Sequence, residues 1–236
     1  MALELTKYFP KSEDEKLLLK EKYFGSTEVQ TFGFVGENNI SSDLGILLIA
    51  FAKLKLKIIE ANQKADEFNA LEEKPEGMED TFMAKLDTPK LLLKTNTIGS
   101  IDILNLCDVL QLEVSKDVVI CETSEYTKEE ENDIYNALDF FITVSNGDNE
   151  GWSVIKAMAT KTLVICPKHT VFEKLGNSVN YVFREEFVYP NDKEVLRYIS
   201  QSTEVAHVCK TMMALTPEEK EKVKEIVEHA YSNCKQ

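Results

Sequence analysis

Residues 139–167, DFFITVSNGDNEGWSVIKAMATKTLVICP, limit the possible folds of this chain more than any other stretch. The apolar run 140–144 predicts a buried strand, and 145–151 a polar, glycine-containing turn. A short apolar helix is expected over 152–159 and a second buried strand over 163–166. Two short buried strands joined through a helix must lie parallel, because an antiparallel pair needs only a tight turn. The turn 145–151 then falls at the carboxyl end of a strand and the amino end of a helix. Open α/β sheets gather ligands at such places, since free backbone N–H groups point outward there.

The same alternation runs through most of the chain. Ser12 and Glu15 have capping-box spacing, so EDEKLLLKEKYFG predicts a helix stopped by Gly25. Strands are expected over 28–35, 90–94, 117–121 and 179–183. Helices are expected over 44–59, 101–112 (capped from Ser100), 127–138 and 171–175. Ser41, Ser42 or Asp43 is available to cap the helix from 44, and Glu129, Glu130 and Glu131 favour the amino end of the helix from 127. Further helices over 193–200, 203–214 and 216–232 close the chain, with Pro217 suited to a first turn. Residues 60–88 are acidic, carry Pro75-Glu76-Gly77 as a turn, and predict an insertion made of a helix and a solvent loop. The expectation is one α/β domain spanning 1–236, with a parallel sheet covered by helices on both faces, an acidic insertion at 60–88 and carboxyl-terminal helices over 203–236.

Charge narrows the partners. A formal charge of −14 disfavours nucleic acid or an anionic membrane as a non-specific partner, because both attract positive surfaces. No apolar run approaches the roughly 20 residues that span a bilayer. The opening MALELTKYFPKSEDEK lacks the basic-then-apolar order of an export signal. The five cysteines show no CxxC spacing and the three histidines are scattered. A reducing, cytoplasmic setting and no metal site are therefore expected. Neither GxxxxGK[ST] nor GxGxxG follows the first strand, which argues against ATP and NAD cradles.

Three segments together resemble the donor-binding domain of GT-B glycosyltransferases of the family-4 type. They are YFPKSEDEKLLLKEKYFG with FGFVGENN and DLGILLIAFAKLK, then EYTKEEENDIYNALDFFITVS, then NEGWSVIKAMATKTLVICP. The resemblance implies a Rossmann-like carboxyl-terminal half that holds a nucleotide sugar, such as a UDP- or GDP-sugar, for retaining glycosyl transfer. It implies also that the acceptor site comes from another chain, or that these residues are a piece of a longer transferase.

Carried over position by position, the resemblance makes Gly36, Glu37, Ser42, Asp148, Glu150, Gly151, Trp152 and Lys156 the donor-binding candidates. The family places two cations after the first strand to hold the diphosphate; here those positions read Glu37 and Ser42. Aligned through Ala157-Met158-Ala159, the family's paired glutamates fall on Asp148 and Lys156. An acid stands where a cation is expected and a cation where an acid is expected, so Glu37 and Lys156 are expected to face each other across the donor site as an ion pair. Two functions fit these residues: a donor-binding subunit of a glycosyltransferase, or a catalytically inactive scaffold. The scaffold would act through a protein partner, or through self-association at an apolar face left by the missing domain.

Overall fold

The computed structural model describes residues 5–71, 75, 77–78, 81–123, 127–146, 151–168, 171–172, 181–183, 185–190 and 196–234. Helix α1 (Glu13–Phe24) starts at Ser12, whose hydroxyl and the Glu15 carboxylate close a reciprocal capping box, and stops at Gly25. Then come β1 (Thr31–Val35), α2 (Leu44–Asn69), β2 (Lys90–Lys94), α3 (Ile103–Val109) and β3 (Val118–Cys121). The chain continues with α4 (Lys128–Asn136), β4 (Phe140–Ile142), α5 (Trp152–Ala159), β5 (Leu163–Pro167) and β6 (Tyr181–Phe183). The hairpin strands β7 (Glu185–Pro190) and β8 (Leu196–Ser200) precede two helices, α6 (Ser202–Met213) and α7 (Pro217–Cys234).

Six strands form a parallel sheet in the order β3-β2-β1-β4-β5-β6. This is the doubly wound order, in which the chain builds outward from β1 in one direction and from β4 in the other. Alternate side chains explain why both faces need helices. Leu91, Leu93, Phe32, Phe140 and Ile142 face a core closed by α2, α3 and α6. Leu92, Phe141, Val164 and Cys166 face a second core closed by α4, α5 and parts of α1 and α7. At the amino end of the β1–β4 seam the Asp139 carboxylate accepts hydrogen bonds from the Thr31 N–H (2.8 Å), the Thr31 hydroxyl (3.0 Å) and Lys20 Nζ (2.9 Å).

Several boundaries differ from the sequence-based expectation. Helix α2 does not end near residue 59 but runs to Asn69. Beyond Ile58 it adds no residue to the two core clusters, so it loses apolar periodicity while remaining helical. There Asn62 and Asn69 each clamp the backbone of the returning segment, at Leu86 and Met83, through paired bonds of 2.9 Å. Helix α3 is capped by Asp102, not Ser100, because the Asp102 carboxylate reaches the Asn105 N–H at 3.0 Å. Of the helix expected over 193–200, the described residues 196–200 are instead β8, paired antiparallel with β7. Its sequence LRYIS, facing EEFVYP, is rich in residues that favour strands. The expected helix 171–175 lies mostly outside the described residues, with 171–172 helical. No helix among the described residues is long and apolar enough to cross a membrane.

Candidate functional site

The strand order reverses between β1 and β4, and the crossovers leave this seam in opposite directions. A crevice must open at the carboxyl ends of those strands, because no connection covers it. A cleft of about 750 Å³ lies there, lined by Gly36, Glu37 and Ser42 from the β1 turn, Lys94 from β2, Glu131 from α4, and Trp152 and Lys156 from α5.

The β1 turn is held by its own side chains. Asn39 Oδ1 accepts from the Ser41 hydroxyl (2.9 Å), the Ser42 hydroxyl (3.0 Å) and the Ser42 N–H (3.0 Å), forming a single-turn cap before α2. Asn39 Nδ2 donates to the Glu37 carboxylate at 3.2 Å. Asp43 occupies the amino-cap position of α2 without a side-chain capping bond, so neither of the expected serines caps the helix itself. Burial raises the Asp43 carboxyl above the usual range, an effect the hydrogen bond from Asn146 opposes. Asn146, which follows β4, bonds the carbonyls of Ser41 (2.8 Å) and Ile40 (3.1 Å) and so joins the two rims of the seam.

Asn38 carries the third rim. Its amide donates to the carbonyl of Ile101 (2.8 Å) and of Asn96 (3.1 Å), fastening the β1 turn to the β2 turn. Gly99 makes this possible by close approach: a Cβ there would stand 2.1 Å from the Asn38 carbonyl oxygen. Gly99→Ala should therefore displace backbone rather than a flexible side chain, and lower stability by about 1–3 kcal/mol. Urea unfolding checks this; a loss below about 0.5 kcal/mol would show that the loop yields freely.

The floor of the cleft is a charged network that joins distant parts of the chain. Glu131 accepts from Lys94 Nζ at 2.7 Å, Lys156 Nζ at 2.6 Å and the Tyr8 hydroxyl at 2.9 Å. Lys156 Nζ also lies 4.9 Å from the Tyr8 ring centroid, within cation–π range. Burial alone would raise the Glu131 carboxyl, but the hydrogen bonds and charges of Lys156 and Lys94 outweigh it and hold the group below the usual glutamate range. Tyr135, whose ring meets Tyr8 edge-on at 6.0 Å, lines the same cleft. Its fully buried hydroxyl has no hydrogen-bond partner among the described residues. Burial and the Glu131 charge push its pKa well upward, so it stays a proton donor.

Of the expected donor-binding residues, the cleft brings together Gly36, Glu37, Ser42, Trp152 and Lys156. Gly151 precedes α5 in the left-handed region at φ 65°, which favours glycine. Asp148 and Glu150 lie outside the described residues. The expected Glu37–Lys156 ion pair is not formed: both residues line the cleft, but the carboxylate that Lys156 meets is Glu131. Helix α4 delivers Glu131 to the cleft floor beside both lysines, whereas Glu37 stays exposed on the rim. Lys161, the cation that follows α5, pairs with Glu228 and lines a separate cavity near Lys20 and Asp139. Sequence reasoning missed Tyr8, Lys94 and Glu131. The one local hint was Lys94 itself, a cation ending an otherwise apolar strand. Among the described residues no group of three or more His, Cys, Asp or Glu could hold a metal ion.

In three dimensions the chain is similar to the C-terminal domain of a glycosyl transferase group 1 family protein (LpcC) from Francisella tularensis. The identity is 13%, the match covers 98% of this chain and 97% of that one, and the TM-score is 0.66. Anabaena HepE, in a complex with UDP and glucose, matches 98% of this chain with 50% of its own length, at 15% identity and a TM-score of 0.64. Sucrose-phosphate synthase from Thermosynechococcus elongatus matches 97% of this chain with 46% of its own, at 13% identity and a TM-score of 0.65. The chain has the fold of a GT-B carboxyl-terminal domain. It spans about half the length of HepE and of the synthase. No protein-family model matches the sequence, and no curated protein matches it either.

Proposed function

We propose that this GT-B half-domain binds a nucleotide sugar in the cleft at the β1–β4 seam and serves as the donor half of a glycosyltransferase. The acceptor half would lie outside these residues. The observation that carries the reading is the open cleft at the switch point, whose volume of about 750 Å³ falls in the range of small-molecule sites. HepE, half of whose length matches 98% of this chain, has been captured with UDP and glucose, which supports the ligand class. In this reading the β1 turn (Gly36, Ser42) and the start of α5 (Gly151, Trp152, with Asp148 and Glu150 before it) surround the donor. Ile40 and Ile98 stand on the β1 and β2 turns at 68% and 66% exposure, apolar groups suited to an adjoining acceptor domain. Titration calorimetry with UDP- and GDP-sugars should give saturable binding with at least one of them. Absence of heat for all common donors up to millimolar concentration would overturn the proposal.

One observation favours a second reading, in which the fold persists as a scaffold without transfer. Glu37 lines the cleft where the resemblance expects a cation for the diphosphate, and an acid there repels phosphate. That reading expects no nucleotide-sugar heat at all, together with stable self-association or capture of a protein partner through the Ile40–Ile98 face.

A further inference from the structure

We infer that the cleft holds its ligand's phosphates on the Lys94–Lys156 floor rather than at the β1 turn. Hydroxyl-bearing parts of the ligand would meet the rim around Glu37. The inference rests on the reading of the cleft as a nucleotide-sugar site and assigns the anionic subsite within it.

The donor count leads there. Each lysine ammonium carries three N–H donors, and Lys94 and Lys156 each give one to Glu131. The rest of those donors belong to side chains that line the cleft, Lys94 exposed by 7% and Lys156 by 20%. The cleft is wide enough for a ligand, and an acceptor seated against the two ammoniums gains charge-assisted hydrogen bonds there. Charge gives the same direction: two ammoniums against one carboxylate leave the floor with one net positive charge. An oxyanion with several acceptor lone pairs satisfies both conditions, whereas a neutral diol satisfies only one of them.

The β1-turn wall completes the polarity. Glu37, Asn39, Ser41 and Ser42 line the cleft at the β1 turn. That wall carries a negative charge and short hydroxyls, so it repels phosphate and suits sugar or ribose hydroxyls. The cation at 156 and the acid at 37 then act together as one reversal of cleft polarity. Phosphate is drawn to the floor, which Glu131 and Tyr8 hold in place.

Trp152, the only tryptophan of the chain, lines this cleft and provides the readout. Its fluorescence should change on titration with inorganic pyrophosphate, UDP and UDP-glucose, with uridine at least tenfold weaker than UDP. The variant Lys94→Met/Glu131→Leu/Lys156→Met removes the whole network without leaving a lone buried charge. With its fold verified by circular dichroism, it should bind pyrophosphate and UDP at least tenfold more weakly, while Lys156→Arg retains binding. UDP-glucose binding equally tight in the triple variant would overturn the inference and leave the nucleotide-sugar reading standing. So would a tenfold gain from Glu37→Arg with no dependence on the lysines. Lysine-dependent pyrophosphate binding without any UDP-glucose binding would uphold the anionic subsite and overturn the nucleotide-sugar reading. No response to any of these ligands would overturn both.

Discussion

Replacing Glu131 with Gln should lower the stability of this protein by about 3–5 kcal/mol, the usual consequence of stripping one partner from a buried ion network. The amide keeps the shape and one acceptor oxygen but no longer neutralises Lys94 and Lys156. Both ammoniums bond the same carboxylate, at 2.7 and 2.6 Å, so they are close neighbours and repel each other without it. The Tyr8 hydroxyl also loses its anionic acceptor. Urea unfolding at neutral pH measures the loss. The pH dependence has a definite sign. Glu131 titrates below its ordinary range in the folded protein, so its contribution is complete above about pH 4.3, the unperturbed glutamate value. It disappears as pH falls through the depressed folded value. The gap between wild type and Glu131→Gln should therefore narrow in acid; a gap of constant size would show that the carboxylate charge is not what matters. The variant Lys94→Met/Glu131→Leu/Lys156→Met should instead be close to wild type or more stable, since an apolar set of similar volume avoids desolvating three charges. A network dispensable for folding but needed for anion binding would be retained for its function.

The sequence revealed the frame of this site much better than its contents, and particular residues show why. The run Leu91-Leu92-Leu93 reads as a strand between turn signals, and it is buried on both faces of the sheet. The helix Trp152–Ala159 has the bounds its apolar pattern predicts, because that pattern and the packing record the same physical constraint. Glu131 has no such signature. It sits among Glu129 and Glu130 in an acidic first turn, and only the tertiary fold brings it to Lys156, Lys94 and Tyr8, which lie 25, 37 and 123 residues away in sequence. Composition around residues 60–69 reported departure from the core, which was mistaken for the end of a helix. The reciprocal signs of Glu37 and Lys156 point to one cleft, which both residues line, and to the wrong pair, since sequence alone does not reveal that the carboxylate of Glu131 arrives from α4.

Phe140→Ala should destabilise the protein by a similar amount, about 3–5 kcal/mol, and for a reason tied to the cleft. The β1–β4 seam is where the two halves of the sheet meet. Its register comprises Phe32 against Phe140 and Gly33 against Phe141, whereas β1 and β2 align over all five of their residues. With so short a ladder, side-chain packing carries much of the junction. Phe140 is fully buried and stacks on Phe32 at 4.9 Å between ring centroids, and Phe32 meets Phe51 of α2 edge-on at 6.3 Å. Removing the ring leaves a void in the middle of that row, which rigid neighbouring strands can fill only in part. Lys220 Nζ, 5.6 Å from the Phe140 ring centroid, loses its aromatic partner as well. Phe140→Leu, which keeps most of the volume, should cost less than about 1.5 kcal/mol. Urea midpoints with unchanged slopes measure both losses. Because the seam ends in the cleft, Phe140→Ala should also alter the fluorescence of folded Trp152, whereas a core truncation remote from the seam should not. Near-equal stabilities for the alanine and leucine variants would mean that the Phe32–Phe140 stack does not hold the two halves of the sheet together.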